Sequence, residues 1–121
     1  MMMKKFFCCG LLAMCVVTAY AKSAPGVTIQ YQKHYACSWV YSGTQAAPDM
    51  YIGINPTSGA LSAQRAGYEP FYARPTGNKG EWLEINPEPA DNAPQLITLN
   101  ATGTLRTFQG DILMSQCIEV D

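Results

Sequence analysis

An all-β fold is what this 121-residue sequence predicts: a small antiparallel barrel or sandwich of about 7–8 short strands, tied by one disulfide. Three observations carry that expectation. Apolar residues recur at every second position, most plainly between Val27 and Tyr41. Short apolar runs are divided at regular intervals by clusters of Gly, Pro, Asn and Thr. Two cysteines, Cys37 and Cys117, stand 80 positions apart near the two ends of the expected mature chain.

Residues 1–21 read as a cleaved signal peptide. Lys4 and Lys5 form a positive start, Phe6 to Val17 an apolar core, and Ala19-Tyr20-Ala21 the small-x-small pattern of a signal-peptidase site. An apolar run of about 12 residues falls short of the roughly 20 that cross a bilayer, so no transmembrane span is expected in the mature chain. None of the leader cysteines follows a small residue, which argues against lipidation: Phe7, Cys8 and Met14 precede them. Cleavage leaves two cysteines. An even pair in an exported chain points to a disulfide, because the periplasm and the exterior are oxidising. A periplasmic or secreted bacterial protein is the expectation.

The mature chain carries six basic and nine acidic residues. No basic stripe remains to follow a phosphate backbone, so no nucleic-acid partner is expected. Residues 22–26 (KSAPG) read as a loose leader, and residues 27–121 as a single β-domain.

The elements follow in order. Val27 to Tyr41 alternates throughout, with Tyr35, Cys37, Trp39 and Tyr41 on one face and His34 on the other. Fifteen extended residues would reach about 50 Å, too long for so small a domain, so a bend is expected at Lys33-His34. Met50–Ile54 and Ala60–Gln64 flank Asn55-Pro56-Thr57-Ser58-Gly59 as a hairpin. Phe71–Arg74 and Glu81–Ile85 flank a second turn-rich loop, and Gln95–Asn100 and Thr104–Phe108 flank Ala101-Thr102-Gly103. Ile112–Val120 closes the chain. INPTSGAL (54–61) echoes LNATGTL (99–105), as two hairpins with the same turn chemistry would. Glu88 to Pro94 reads as an exposed loop.

His34 and Cys37 are the first candidate pair for chemistry. Three positions apart on a strand they face opposite ways, and Cys37 is better used in a bridge to Cys117. Zinc needs at least three protein ligands, which one histidine and paired cysteines do not supply. Glu81, Glu84, Glu88 and Asp91 lie close in sequence but lack the spacing of a calcium loop. No serine stands in a nucleophile elbow. No catalytic residue, metal or cofactor is therefore expected. Aromatics and arginines remain, and Tyr68, Tyr72, Arg65 and Arg74 form the candidate patch for binding a partner, a protein or a cell-envelope component.

Tyr35-Ala36-Cys37 near the start and Ile112 to Cys117 near the end resemble the framing of exported c-type lysozyme inhibitors. That resemblance covers about a dozen residues and implies a small periplasmic β-barrel that plugs a lysozyme cleft with loop residues. The family's Ser-Gly-x-x-Tyr loop is not matched, since Ser58-Gly59 is followed by Ala60-Leu61-Ser62, so no inhibitory residue carries over. The functional expectation is a non-enzymatic binding or inhibitor module. A structural or assembly subunit of an envelope complex comes second, and a small glycan-acting enzyme last.

Overall fold

The computed structural model of the protein describes residues 24–41, 43–87 and 92–120. The signal peptide expected over residues 1–21 lies outside them, as do residues 22–23 of the expected leader and 88–91 of the expected loop. Eight strands form: β1 (Lys33–Trp39), β2 (Gln45–Ile54), β3 (Leu61–Arg65), β4 (Phe71–Pro75), β5 (Glu81–Ile85), β6 (Gln95–Leu99), β7 (Thr104–Gln109) and β8 (Ile112–Val120). They pair antiparallel in chain order, and β8 returns to β1, so the sheet is a closed barrel. Among the described residues no helix is long and apolar enough to cross a membrane.

The period-two pattern sets which way each side chain faces. Tyr35 and Cys37 of β1, Met50 and Ile52 of β2, Leu61 and Ala63 of β3 point inward and are buried. Ala73, Ile97, Leu105 and Cys117 complete that core from the remaining strands. Alanines at 63 and 73 leave room for Tyr35 and Met50, the small-against-large filling a narrow barrel needs. Cys37 lies directly opposite Cys117 on the β1–β8 seam, their Cα atoms 4.0 Å apart, and the disulfide joins them. On the chain-entropy account a bridge over this loop contributes up to about 4.5 kcal/mol.

The first strand differs from the continuous Val27–Tyr41 run. The break falls at Lys33, where the bend was expected, and residues 27–32 run instead along the outside of β2 and β3 as a strap. Two features of the outer face seat it. Gly53 has no side chain, and a Cβ there would overlap the Gln30 carbonyl oxygen. Gln64, 2 % exposed, accepts from the Thr28 and Ile29 backbone amides at 2.7 and 3.2 Å and donates to the Tyr68 carbonyl at 2.7 Å. Gln32 N then bonds the Ile52 carbonyl at 3.0 Å. Tyr41, expected on the face of Cys37, lies beyond the end of β1 and is exposed.

Two bulges distort the ladders. Between β1 and β2 the register shifts so that Pro48 and Asp49 stand against Ala36. A proline cannot donate to a ladder, and a bulge is where a strand tolerates one. Between β7 and β8 the register shifts at Thr107/Phe108, where Met114 is the extra residue.

The two ends differ in consequence. At one end Trp82 Nε1 donates to the Gly59 carbonyl at 2.9 Å, which ties the indole to the hairpin loop between β2 and β3. Asn55 Oδ1 accepts from Thr57 N and Ser58 N, and Asn100 Oδ1 from Thr102 N and Thr104 N. Those paired Asx turns account for the echo between the two loops. Both bulges sit toward the other end, which stays open and is called the mouth here.

Candidate functional site

The mouth is built around Arg65. Alternation along Leu61-Ser62-Ala63-Gln64-Arg65 puts the arginine on the inward face with Leu61 and Ala63, at the point where β3 leaves the barrel. Its side chain is 9 % exposed. The guanidinium carbon lies 4.4 Å from the centroid of the Trp39 ring, a cation–π contact in a partly desolvated place. Nη2 donates to Ser115 Oγ at 2.8 Å, and Nη1 makes a long contact of 3.4 Å to the Pro48 carbonyl, which the first bulge turns toward it. Ser115 Oγ is itself 2.6 Å from Thr107 Oγ1, and both residues are buried.

Among the described residues the ion pairs are Lys33–Glu119 and His34–Asp49, neither of which involves Arg65. Nε and one hydrogen on each terminal nitrogen have no protein acceptor among those residues. Burial pushes the guanidinium down to about 10, while the neighbouring Tyr68 phenol acts to raise it. It is therefore a cation at neutral pH.

A cavity of about 270 Å³ opens beside the guanidinium. Trp39, Phe71 and Met114 give it apolar walls, and Met114 reaches it from the second bulge. Thr107, Gln95 and Gln109 supply polar groups, and Tyr68 and Glu69 stand at the rim. Gln109 is anchored by a hydrogen bond from its Nε2 to the Ala93 carbonyl, which ties the β6 approach to β7. An apolar cup with one buried cation and a few amides can bind and orient a ligand with an anionic end.

The four residues expected to form a patch divide between two faces. Arg65 and Tyr68 share the mouth. Tyr72 and Arg74 occupy the alternate positions of β4 and face outward, Tyr72 beside an outer groove that Ile29 and Gln32 of the strap also line. They are not neighbours of the buried arginine. Trp39, Phe71 and Met114 carry the cup instead. Trp39 and Phe71 were readable as aromatic, but Met114 needs the bulge to be known.

His34 and Cys37 do face opposite ways. Cys37 is inside in the disulfide, and His34 is outside, where Nε2 lies 2.7 Å from Asp49 Oδ2. Its ring stacks on Tyr51 with centroids 4.4 Å apart and planes 11° from parallel, and Tyr51 meets the edge of Tyr31 at 4.7 Å. This cluster pins the strap's end to the barrel. The signal for Asp49 was Pro48 inside a strand, since the bulge it occupies brings the carboxylate beside the histidine. No serine hydroxyl hydrogen-bonds His34 among the described residues.

Of the four clustered acidic residues, Glu81 and Glu84 have local hydrogen-bond partners. Glu81 Oε1 accepts from the Thr76 hydroxyl and the Asn78 amide at 2.6 and 2.7 Å, which hold its carboxyl below the usual range. Glu84 Oε1 accepts from Gln95 N at 2.9 Å. Glu88 and Asp91 lie outside the described residues. Among the described residues no group of three or more His, Cys, Asp or Glu is placed to hold a metal ion.

Comparison with protein-family models, with curated proteins and with solved structures gives no match.

Proposed function

We propose that the protein is an exported, non-enzymatic binding module of the bacterial cell envelope or its surroundings, and that the mouth is its recognition end. The buried Arg65 guanidinium beside an open apolar cup carries this reading. A desolvated cation is costly, and among the described residues Arg65 has no carboxylate partner, so an incoming anion would supply its counter-charge. The rigid closed barrel supports the same reading, because it holds the cup's walls in place without a ligand. Export rests on the signal-like first 21 residues, and the disulfide is compatible with an oxidising compartment.

The test is retention of an envelope component on the immobilised protein, compared across variants. Trp39→Ala and Tyr68→Ala at the mouth are expected to lose the component, while Arg74→Ala on the outer face keeps it. The same variants in a lysozyme-inhibition assay examine the inhibitor form of the proposal. Equal retention by mouth and outer-face variants would refute a recognition role for the mouth.

One observation favours a second reading, an assembly subunit. Leu83, Leu96, Phe108 and Leu113 stand opposite one another across β5 to β8 and form an outward apolar row, with Leu83 exposed. A protein that remains monomeric in sedimentation at high concentration would count against self-assembly through that row.

A further inference from the structure

Resting on the reading of the mouth as a recognition end, we infer that its occupant is a monocarboxylate with an apolar body, the carboxylate on Arg65 and the body between Trp39, Phe71 and Met114.

Charge, shape and donor geometry each narrow the ligand class. The cup holds one buried cation, and Glu69 stands at its rim while Glu84 lies in the adjoining groove that shares Phe71 and Gln95 with it. A single negative charge is balanced by Arg65 alone. A dianionic phosphate would need a second cation, and the two glutamates would oppose it. The unused guanidinium hydrogens form a planar fork, and a carboxylate matches that fork with two parallel hydrogen bonds. Trp39 holds the face of the guanidinium and leaves its edge for the ligand. Trp39, Phe71 and Met114 make a continuous apolar part of the lining, and Thr107, Gln95 and Gln109 offer only a few polar partners, so an apolar body fits better than one polar along its length. A cavity of about 270 Å³ suits a small acid or the last residue of a chain. Both sources present the same chemistry, a carboxylate at the tip of an apolar group.

Glu69 has a defined effect in this arrangement. As a like charge at the rim it opposes an entering anion. Removing its charge should tighten binding.

The experiment is a titration of the disulfide-bonded protein, followed by the NMR signals of the Trp39 indole N–H and Arg65 Nε, with the Trp82 indole at the opposite end as internal reference. The probes are 3-phenylpropionate, its amide, inorganic phosphate, and a short peptide ending in phenylalanine with its carboxylate free or amidated. The acid is expected to shift Trp39 and Arg65 saturably and leave Trp82 in place, with the amide at least about tenfold weaker. Peptide binding that needs the free carboxylate assigns the group to a chain terminus, and binding of the small acid alone assigns it to a free acid; either supports the inference. Glu69→Gln should bind the acid several-fold more tightly, and Arg65→Lys, which keeps the charge but loses the fork, at least about tenfold more weakly. Equal binding of acid and amide, phosphate binding as tightly as the acid, or unchanged affinity in Arg65→Lys would overturn it. The acid–amide comparison needs no substitution, so it decides even if an Arg65 variant fails to fold. Loss of envelope retention on Trp39→Ala together with no carboxylate binding would sink the carboxylate inference and leave the recognition end standing. Failure of both would remove both.

Discussion

Tyr35 shows how much one atom can matter in a barrel this narrow. Its side chain is wholly buried, and its hydroxyl has no hydrogen-bond partner among the described residues. An unsatisfied buried polar group costs about 1–3 kcal/mol, so Tyr35→Phe should raise stability by roughly 1 kcal/mol in urea unfolding. A loss of that size would show that the hydroxyl is paired. Burial, and then the charge of Glu119, push the Tyr35 phenol up to about 12. An acid held above its unfolded value gives stability that is complete below about pH 10 and is lost as pH rises through about 12, because the unfolded chain releases the proton first. Tyr35→Phe should therefore lose less stability than the parent between about pH 10 and about pH 12. Some alkaline loss should persist in the variant, since burial beside Asp49 and Tyr31 also raises Tyr51. At this scale the site was half legible. Arg65 and Tyr68 stood out by residue type, but Arg65 lies just past the Ala60–Gln64 segment read as a strand, so its inward turn was not read. Its partners Ser115 and Pro48 come from strands 50 and 17 positions away, and no local pattern announces them.

Among the elements, the strap is the one whose removal is most informative. Gln64 serves two strap amides and the Tyr68 carbonyl at once, so Gln64→Ala should destabilise the protein by about 1–3 kcal/mol and speed hydrogen exchange at Thr28 and Ile29. Exchange unchanged at those two amides would mean that the strap is held by something other than Gln64. The later hairpins were legible almost to the residue, because turn chemistry and alternation agree there: Glu81–Ile85 and Ile112–Val120 have the boundaries the pattern implies. The earlier elements were not. Val27 to Gln32 alternates as a strand does, yet it lies outside the sheet, since alternation reports a two-sided extended segment and not its ladder partners. The first half of β2 was hidden by Pro48, which reads as a breaker unless a bulge accommodates it.

For the molecule as a whole, closure was the open question, because sandwich and barrel use the same alternating strands. What decides it is the pairing of β1 with β8, between residues about 80 positions apart, and the Cys37–Cys117 spacing was the hint that pointed there. A Cys37→Ala/Cys117→Ala double variant should lose about 2–5 kcal/mol in thermal or denaturant unfolding, with the largest rise in hydrogen exchange in β1 and β8. A loss under about 1 kcal/mol would show that the seam closes on its packing alone. The seam also sets the order in which the chain can assemble. Seven of the eight ladders join strands that follow one another, each closing over a short loop, whereas this one must gather the whole domain. Until it forms, the nascent sheet has two unprotected edges, each able to add a strand from another copy. Joining the two thiols thus also guards against misassembly, a kinetic duty separate from any stability the finished bridge contributes.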